Sequence, residues 1–179
     1  MKKIFLLTVI PSFVALIGCG DGKETKVENE NPIPAGWVEL DLTQPNTTYG
    51  LPLLINVPDE ATAQGIAEIM ESPLGGTQVK AGKNFNLEIF PGDGNMAAKK
   101  QEIEGNLVFK STYIIDEPDF ILYTSEIEDA GIKQYHFYAI IKLGTSSYEI
   151  EDIKGEDYTE TGIKKMMEAA KSLRAKPQV

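Results

Sequence analysis

Apolar residues follow three patterns along this chain, and each pattern predicts a different kind of segment. From Ile4 to Ile17 they form an almost unbroken run, interrupted only by Thr8, Pro11 and Ser12. From Trp37 to Leu42 they alternate, Val38, Leu40 and Leu42 against Glu39 and Asp41, which predicts a strand with one buried face. Gln44-Pro45-Asn46 predicts a turn, and Leu53 to Val57 a second, more continuously apolar strand closed by Pro58-Asp59. Glu60 to Glu71 supports two readings: Ile66, Ile69 and Met70 have helical spacing, but Gly65 weakens a helix and leaves a twisted strand pair open.

Beyond the tight turn at Gly75-Gly76, Thr77 to Lys80 and Asn84 to Phe90 predict strands. In the second, Phe85, Leu87 and Ile89 alternate with Asn84, Asn86 and Glu88, as expected of one dry and one wet face. Pro91 to Asn95 breaks this strand, and the Ala/Lys/Gln/Glu-rich stretch Met96 to Glu104 predicts a short helix that Gly105 ends. Val108 to Ile115, Phe120 to Ser125, Gln134 to Leu143 and Ser147 to Ile153 then predict four strands joined by short turns, an antiparallel meander. Gln134 to Leu143 is bulky on both faces and belongs in the interior of the sheet. The last element is a helix: Asp157-Tyr158-Thr159-Glu160 fits a capping box, and Ile163, Met166, Met167, Ala170 and Leu173 share a face. Lys171, Arg174 and Lys176 suit its C-terminal dipole. The fold class expected is α+β: a mostly antiparallel sheet of about six or seven strands, with a short mid-chain helix and a C-terminal amphipathic helix packed on it.

Composition narrows this further. The chain has 179 residues, 42% of them hydrophobic and 25% charged, too apolar for a disordered chain and short enough for one domain. The division expected is residues 1–18 as an export signal, 19–35 as a solvated tether and 36–179 as a single α+β domain. Met1-Lys2-Lys3 and the apolar run after it have the form of a signal peptide, since a spanning helix needs about 20 apolar residues and Pro11 would break it.

The run ends in Leu16-Ile17-Gly18-Cys19, which resembles the lipobox of bacterial lipoprotein precursors; Cys19 is also the only cysteine of the chain. The resemblance implies that Cys19 is lipidated and becomes the mature N-terminus. Several acyl chains on one residue exceed the two-signal threshold for stable membrane attachment. Gly20 follows the cysteine, with Asp21 one place further, unlike an inner-membrane retention pattern with Asp directly after it. In a two-membrane bacterium this favours the outer membrane. Asp21 and Glu24 also resemble surface-export tethers of some bacteroidete-type lipoproteins, and the side of the membrane stays open.

The formal charge of −10 becomes −12 without Lys2 and Lys3, and the mature chain holds no basic block of even four Lys or Arg. Nucleic acid and polyphosphate are therefore poor partners, whereas a basic protein or a cation fits. The order of elements from Trp37 to Leu173 resembles the PsbP-type α+β sandwich. That resemblance implies an accessory or assembly module, usually without catalytic residues, and carries no site residue over.

Candidate chemistry is sparse. His136 is the only histidine and lies in the interior strand, where bonding to a neighbour is the expected role. No nucleophile elbow, phosphate loop or zinc helix motif occurs. Asp93-Gly94-Asn95 with Glu104 mimics part of a calcium loop, but Ala97 and Ala98 stand where a ligand and the turn glycine are required, so an N-cap is expected there instead. Two carboxylate groups remain, Asp116, Glu117 and Asp119 in one turn, and Glu149, Glu151 and Asp152 at a strand end. The second group supplies the candidate metal ligands: Glu149 and Glu151 share a strand face, where like charges repel and a cation could relieve them. Trp37, Tyr113 and Tyr123 are candidate sugar-binding aromatics. No cofactor is expected. The function expected is a non-enzymatic, lipid-anchored envelope protein that binds another envelope or secreted protein, in an immunity or inhibitor role or as an assembly module. The alternative is a lipoprotein that binds a small ligand, sugar or Ca2+, with its pocket between the sheet and the Met166-bearing helix.

Overall fold

A computed structural model describes residues 32–43 and 50–177. The signal, Cys19, most of the tether and the predicted turn at Gln44-Pro45-Asn46 lie outside the described residues. Residues 31–179 cluster as one unit.

Ten strands form two antiparallel sheets, confirming the α+β class. The larger has seven strands and consists of two meanders. One is β3 (Ala67–Glu71), β4 (Thr77–Ala81) and β5 (Asn86–Pro91). The other is β6 (Lys110–Asp116), β7 (Phe120–Ile127), β8 (Ile132–Leu143) and β9 (Ser146–Asp152), the four-strand meander expected from the spacing of turns. The meanders join edge to edge where β5 pairs with β9, so the spatial order is β3-β4-β5-β9-β8-β7-β6. The ambiguous stretch from Glu60 resolves into a four-residue helix, α1 (Glu60–Ala63), capped by Asp59, and then β3.

Each face of the large sheet carries one of the longer helices. α3 (Glu160–Lys171) lies over β8 and buries Ile163, Met166, Met167, Ala169 and Ala170 against Phe137, Ala139, Ile150 and Leu87. α2 (Met96–Glu104) lies on the other face, where Ile103 meets Ile121, Tyr123, Tyr138 and Ile140 in a second, smaller cluster. Period-2 alternation in β8 divides the two cores: Phe137 and Ala139 point to one, Tyr138 and Ile140 to the other. Chain entry into α2 depends on Gly94, which has φ +57°, because a Cβ there would sit 2.9 Å from the Ile140 side chain.

The second sheet has three strands in the order β1-β2-β10, built from β1 (Trp37–Asp41), β2 (Leu53–Pro58) and β10 (Arg174–Ala175). β10 corrects one expectation. The final helix stops at Lys171 with Ser172 as its cap, so Arg174 and Lys176 lie beyond its last turn; Arg174 still donates to the Ser172 carbonyl at 3.0 Å, whereas Lys176 turns away to β1. Arg174 reaches Glu39 and Asn56, and Lys176 reaches Asp41. Val38, expected inside, is 42% exposed, because β1 is an edge strand that leans on the core through Trp37 and Leu40. The cap of α3 is Thr159, whose hydroxyl accepts from the Gly162 N–H, and not Asp157; with Gly at the third helical position the reciprocal half of a capping box is absent. The expected wet face of β5 is also dry. Asn86 and Glu88 are buried because β5 sits between β4 and β9, and they bond to Gln78, Glu156 and the Ser72 hydroxyl.

Candidate functional site

The α2 side of the sheet is less completely covered than the α3 side, and the gap is a cleft. α2 reaches β9 through Lys99 and β6 through Lys100, packs Ile103 on β7 and β8, and ends at Gly105, after which residues 106–109 lead into β6. The cleft has two chambers that share Ile103, Asn106, Phe109 and Ser111. The inner one, of about 450 Å³, is walled by Tyr123, Ser125, Gln134 and His136. The outer one, of about 590 Å³, is rimmed by Glu104, Leu107, Val108, Glu126 and Asp129. Both fall in the size range of ligand pockets, roughly 300–1,000 Å³. Met166 itself is fully buried in the packed core, and the hollow of about 230 Å³ beside its helix lies at the helix's N-terminal end, where Thr161, Gly162 and Lys165 meet Ala81 and Phe85; the larger cleft lies on the opposite face of the sheet.

His136 is held on the wall of the inner chamber by Asp152. Its Nδ1 lies 2.7 Å from Asp152 Oδ2, while Asp152 Oδ1 accepts the Phe137 backbone N–H at 2.8 Å. An ionised carboxylate only accepts, so Nδ1 donates, and in the neutral ring Nε2 is left as an acceptor. The ring packs against Tyr123 with centroids 5.3 Å apart. Both side chains are more than nine-tenths buried. Burial, with the charges of Asp152 and Glu151, raises the Tyr123 hydroxyl well above an ordinary phenol, so it stays a neutral O–H. No hydrogen bond of Nε2 or of the Tyr123 hydroxyl is found among the described residues, and neither atom is fully enclosed: the enclosed side-chain atoms without a partner there are Ser147 Oγ and Arg174 Nε. A histidine oriented by a carboxylate is also half of a nucleophilic triad. Here the two serine hydroxyls of the chamber face each other at 3.5 Å, Ser111 with Ser125, and no hydroxyl bonds to Nε2 among the described residues.

The candidate metal ligands separate. Glu149 and Glu151 do share the α2 face of β9, as expected, but each has a protein partner. Tyr138 donates its hydroxyl to Glu149, and the Lys99 ammonium donates to Glu151 at 2.8 Å. The cation that relieves this pair is therefore a lysine of α2, seated 5.0 Å from the centre of the Tyr138 ring. Burial lowers the pKa of Lys99, but the bond and charge of Glu151, with the charge of Glu102, outweigh burial and hold it above the ordinary lysine value. Asp152 turns to His136 instead. Among the described residues no three His, Cys, Asp or Glu side chains converge as a metal site. The calcium-like stretch is spread over a helix, with Asn95 capping α2 and Glu104 at its end accepting from the Tyr113 hydroxyl. Asp116 pairs with Lys100, and Asp119 with Lys142.

Of the candidate aromatics, Tyr123 enters the inner chamber, and Tyr113 beside it is half-buried, its hydroxyl raised to about 12 by burial and then by Glu104. Trp37 lies elsewhere, in a shallow depression of about 140 Å³ with Pro34, Asn56 and Lys171.

Sequence reasoning missed the loop that forms the lip. Leu107 is fully exposed and Val108 67% exposed, yet the loop is ordered by Asn106, whose side-chain oxygen accepts from the Val108 and Phe109 N–H groups at 2.9 and 3.0 Å. The legible signal was Asn106 between a helix-ending glycine and three successive apolar residues, an Asx turn ahead of a strand. No family model, curated protein or solved structure matches the chain. Among the described residues no helix is long and apolar enough to cross a membrane.

Proposed function

We infer that this is a lipid-anchored bacterial envelope protein, attached through Cys19, whose domain is a non-enzymatic binding or assembly module for another envelope or secreted protein. The observation that carries the reading is the lip of the cleft. Leu107 and Val108 stand out on a loop pinned by Asn106, a costly arrangement for a surface without a partner, because it orders apolar groups in water. Glu104, Glu126 and Asp129 border the same chamber against one cation, Lys110, and the chain is acidic as a whole. Apolar anchors beside a rim with three carboxylates and one lysine suit a basic partner segment that carries an apolar side chain, with the net negative charge steering the encounter and the anchors providing hold. An accessory role also agrees with the resemblance to PsbP-type domains, and the immunity or inhibitor role is one form of it. The small-ligand alternative draws on a different feature, the inner chamber. The outer membrane remains the favoured location, from the residues after Cys19.

Metabolic labelling of the full precursor with a fatty-acid analogue tests the anchor: the wild type takes up label and Cys19→Ser does not. Crosslinked complexes purified from the same cells test the module. Leu107→Asp with Val108→Asp is expected to remove the complex that the wild type yields. An unlabelled wild type, or a complex indifferent to the lip substitutions, overturns the corresponding half of the reading.

A further inference from the structure

We propose that the inner chamber is a binding site for a small neutral polyhydroxylated ligand, of monosaccharide or cyclitol class, read by His136 and Tyr123. The two groups are complementary in kind. Asp152 accepts the hydrogen bond of the Nδ1–H, which in the neutral ring leaves Nε2 as an acceptor, while the Tyr123 hydroxyl is held neutral by burial and is a donor. A single alcohol hydroxyl both donates and accepts, so it satisfies both. Neither a simple cation nor a carboxylate does, since the first offers no acceptor and the second no donor.

The rest of the chamber repeats the same chemistry. Ser111, Ser125 and Gln134 add hydroxyl and amide partners, while Ile103 and Phe109 supply an apolar wall for the C–H face of a ring. Charge is balanced: the ionisable side chains at the chamber's rim are Glu102 and Lys154, which pair with each other at 3.4 Å. A volume of about 450 Å³ holds one or two sugar rings. This site is distinct in chemistry from the outer lip and does not depend on the protein-binding role proposed for it.

The chain has a single histidine, so its imidazole nitrogen signals are unambiguous in a 15N-labelled sample. We would titrate the full lipidated chain, in a detergent without a sugar headgroup, with neutral hexoses and inositol. Parallel titrations would use an anionic sugar acid, zinc and a basic peptide. The expected result is a saturable displacement of the Nε2 resonance by at least one neutral polyol, with affinity reduced about tenfold in Tyr123→Phe, the order expected for one hydrogen bond lost. Leu107→Asp with Val108→Asp should leave that titration unchanged. Thermal unfolding of Tyr123→Phe checks that the variant is folded. No displacement by any neutral polyol overturns the proposal, meaning that the chamber holds water only. A response confined to zinc, to the acid or to the peptide overturns it too, as does a polyol response that Tyr123→Phe leaves intact.

Discussion

At the scale of single residues, Asp152 bears the most consequence. One carboxylate closes two buried donors, the His136 ring and the Phe137 amide, and is itself 3% exposed. Asp152→Ala leaves both donors unsatisfied and should cost about 2–4 kcal/mol in urea unfolding, whereas an ordinary strand-end carboxylate would cost under about 0.5. That His136 bonds to a neighbour was readable from the sequence; which neighbour was not, because the two lie 16 positions apart on paired strands. The register of a hairpin decides it. Leu143 faces Ser146 across a two-residue loop, and counting back to Tyr138 opposite Glu151 puts Phe137 beside Asp152 at the next step. A loop of three residues, Gly144 to Ser146, was the expectation, and one residue of difference is enough to lose the partner. The same reasoning covers Glu149 and Glu151. Their shared face was visible in the period of the strand, but the lysine that neutralises Glu151 comes from a helix 52 positions earlier.

At the scale of elements, the long periodic segments were the legible ones. Met96 to Glu104 and the meander from β6 to β9 stand where alternation and composition placed them. What escaped was decided by tertiary contact: the dry polar face of β5, and the two residues of β10 that pair with β2 in place of extending α3. Gly162 illustrates the override. In an isolated helix Gly→Ala gains roughly 1 kcal/mol, yet here a Cβ would lie 2.5 Å from the Asn84 carbonyl oxygen. Gly162→Ala should therefore destabilise the protein, by about 1–3 kcal/mol, and a rise in melting temperature would contradict the packing described.

The β10 clasp has its own pH signature. Asp41 is lowered from 3.8 to about 2, first by its bond from Lys176 and then by those from Thr43. A depressed carboxylate contributes its stabilisation above the unfolded value and loses it as pH falls through the folded one. The NMR signals of Ala175 and Lys176 should thus be steady down to about pH 4 and then shift with a midpoint near 2. Because the pair is exposed, salt should weaken the effect. A midpoint at 3.8 would mean that the clasp does not form.

For the whole molecule, the proposed lipid anchor and the cleft belong to separate parts of the chain. The proposal of an anchor rests on Leu16 to Cys19, a local sequence pattern that lies outside the described residues. The cleft rests on the packing of α2 against the sheet and was missed, because Leu107 and Val108 read equally well as the start of a buried strand and the Asx turn at Asn106 was the one local signal against it. Exposed apolar residues that serve a partner contribute little to the fold. Leu107→Ser with Val108→Ser should accordingly change unfolding free energy by less than about 0.5 kcal/mol, and a larger loss would assign the lip a structural role.

The most direct test of the binding role is site-specific photocrosslinking in living cells from two positions of the lipidated protein, Leu107 at the lip and Leu74 in the β3–β4 turn. Both are strongly exposed, at 101% and 79%, so exposure alone does not separate them. Leu107 borders a chamber whose rim carries Glu104, Glu126 and Asp129 against Lys110. A discrete crosslinked partner from position 107 and none from 74, the yield falling as salt is raised, is the predicted result. The same adducts from both positions, or from 74 alone, would contradict it.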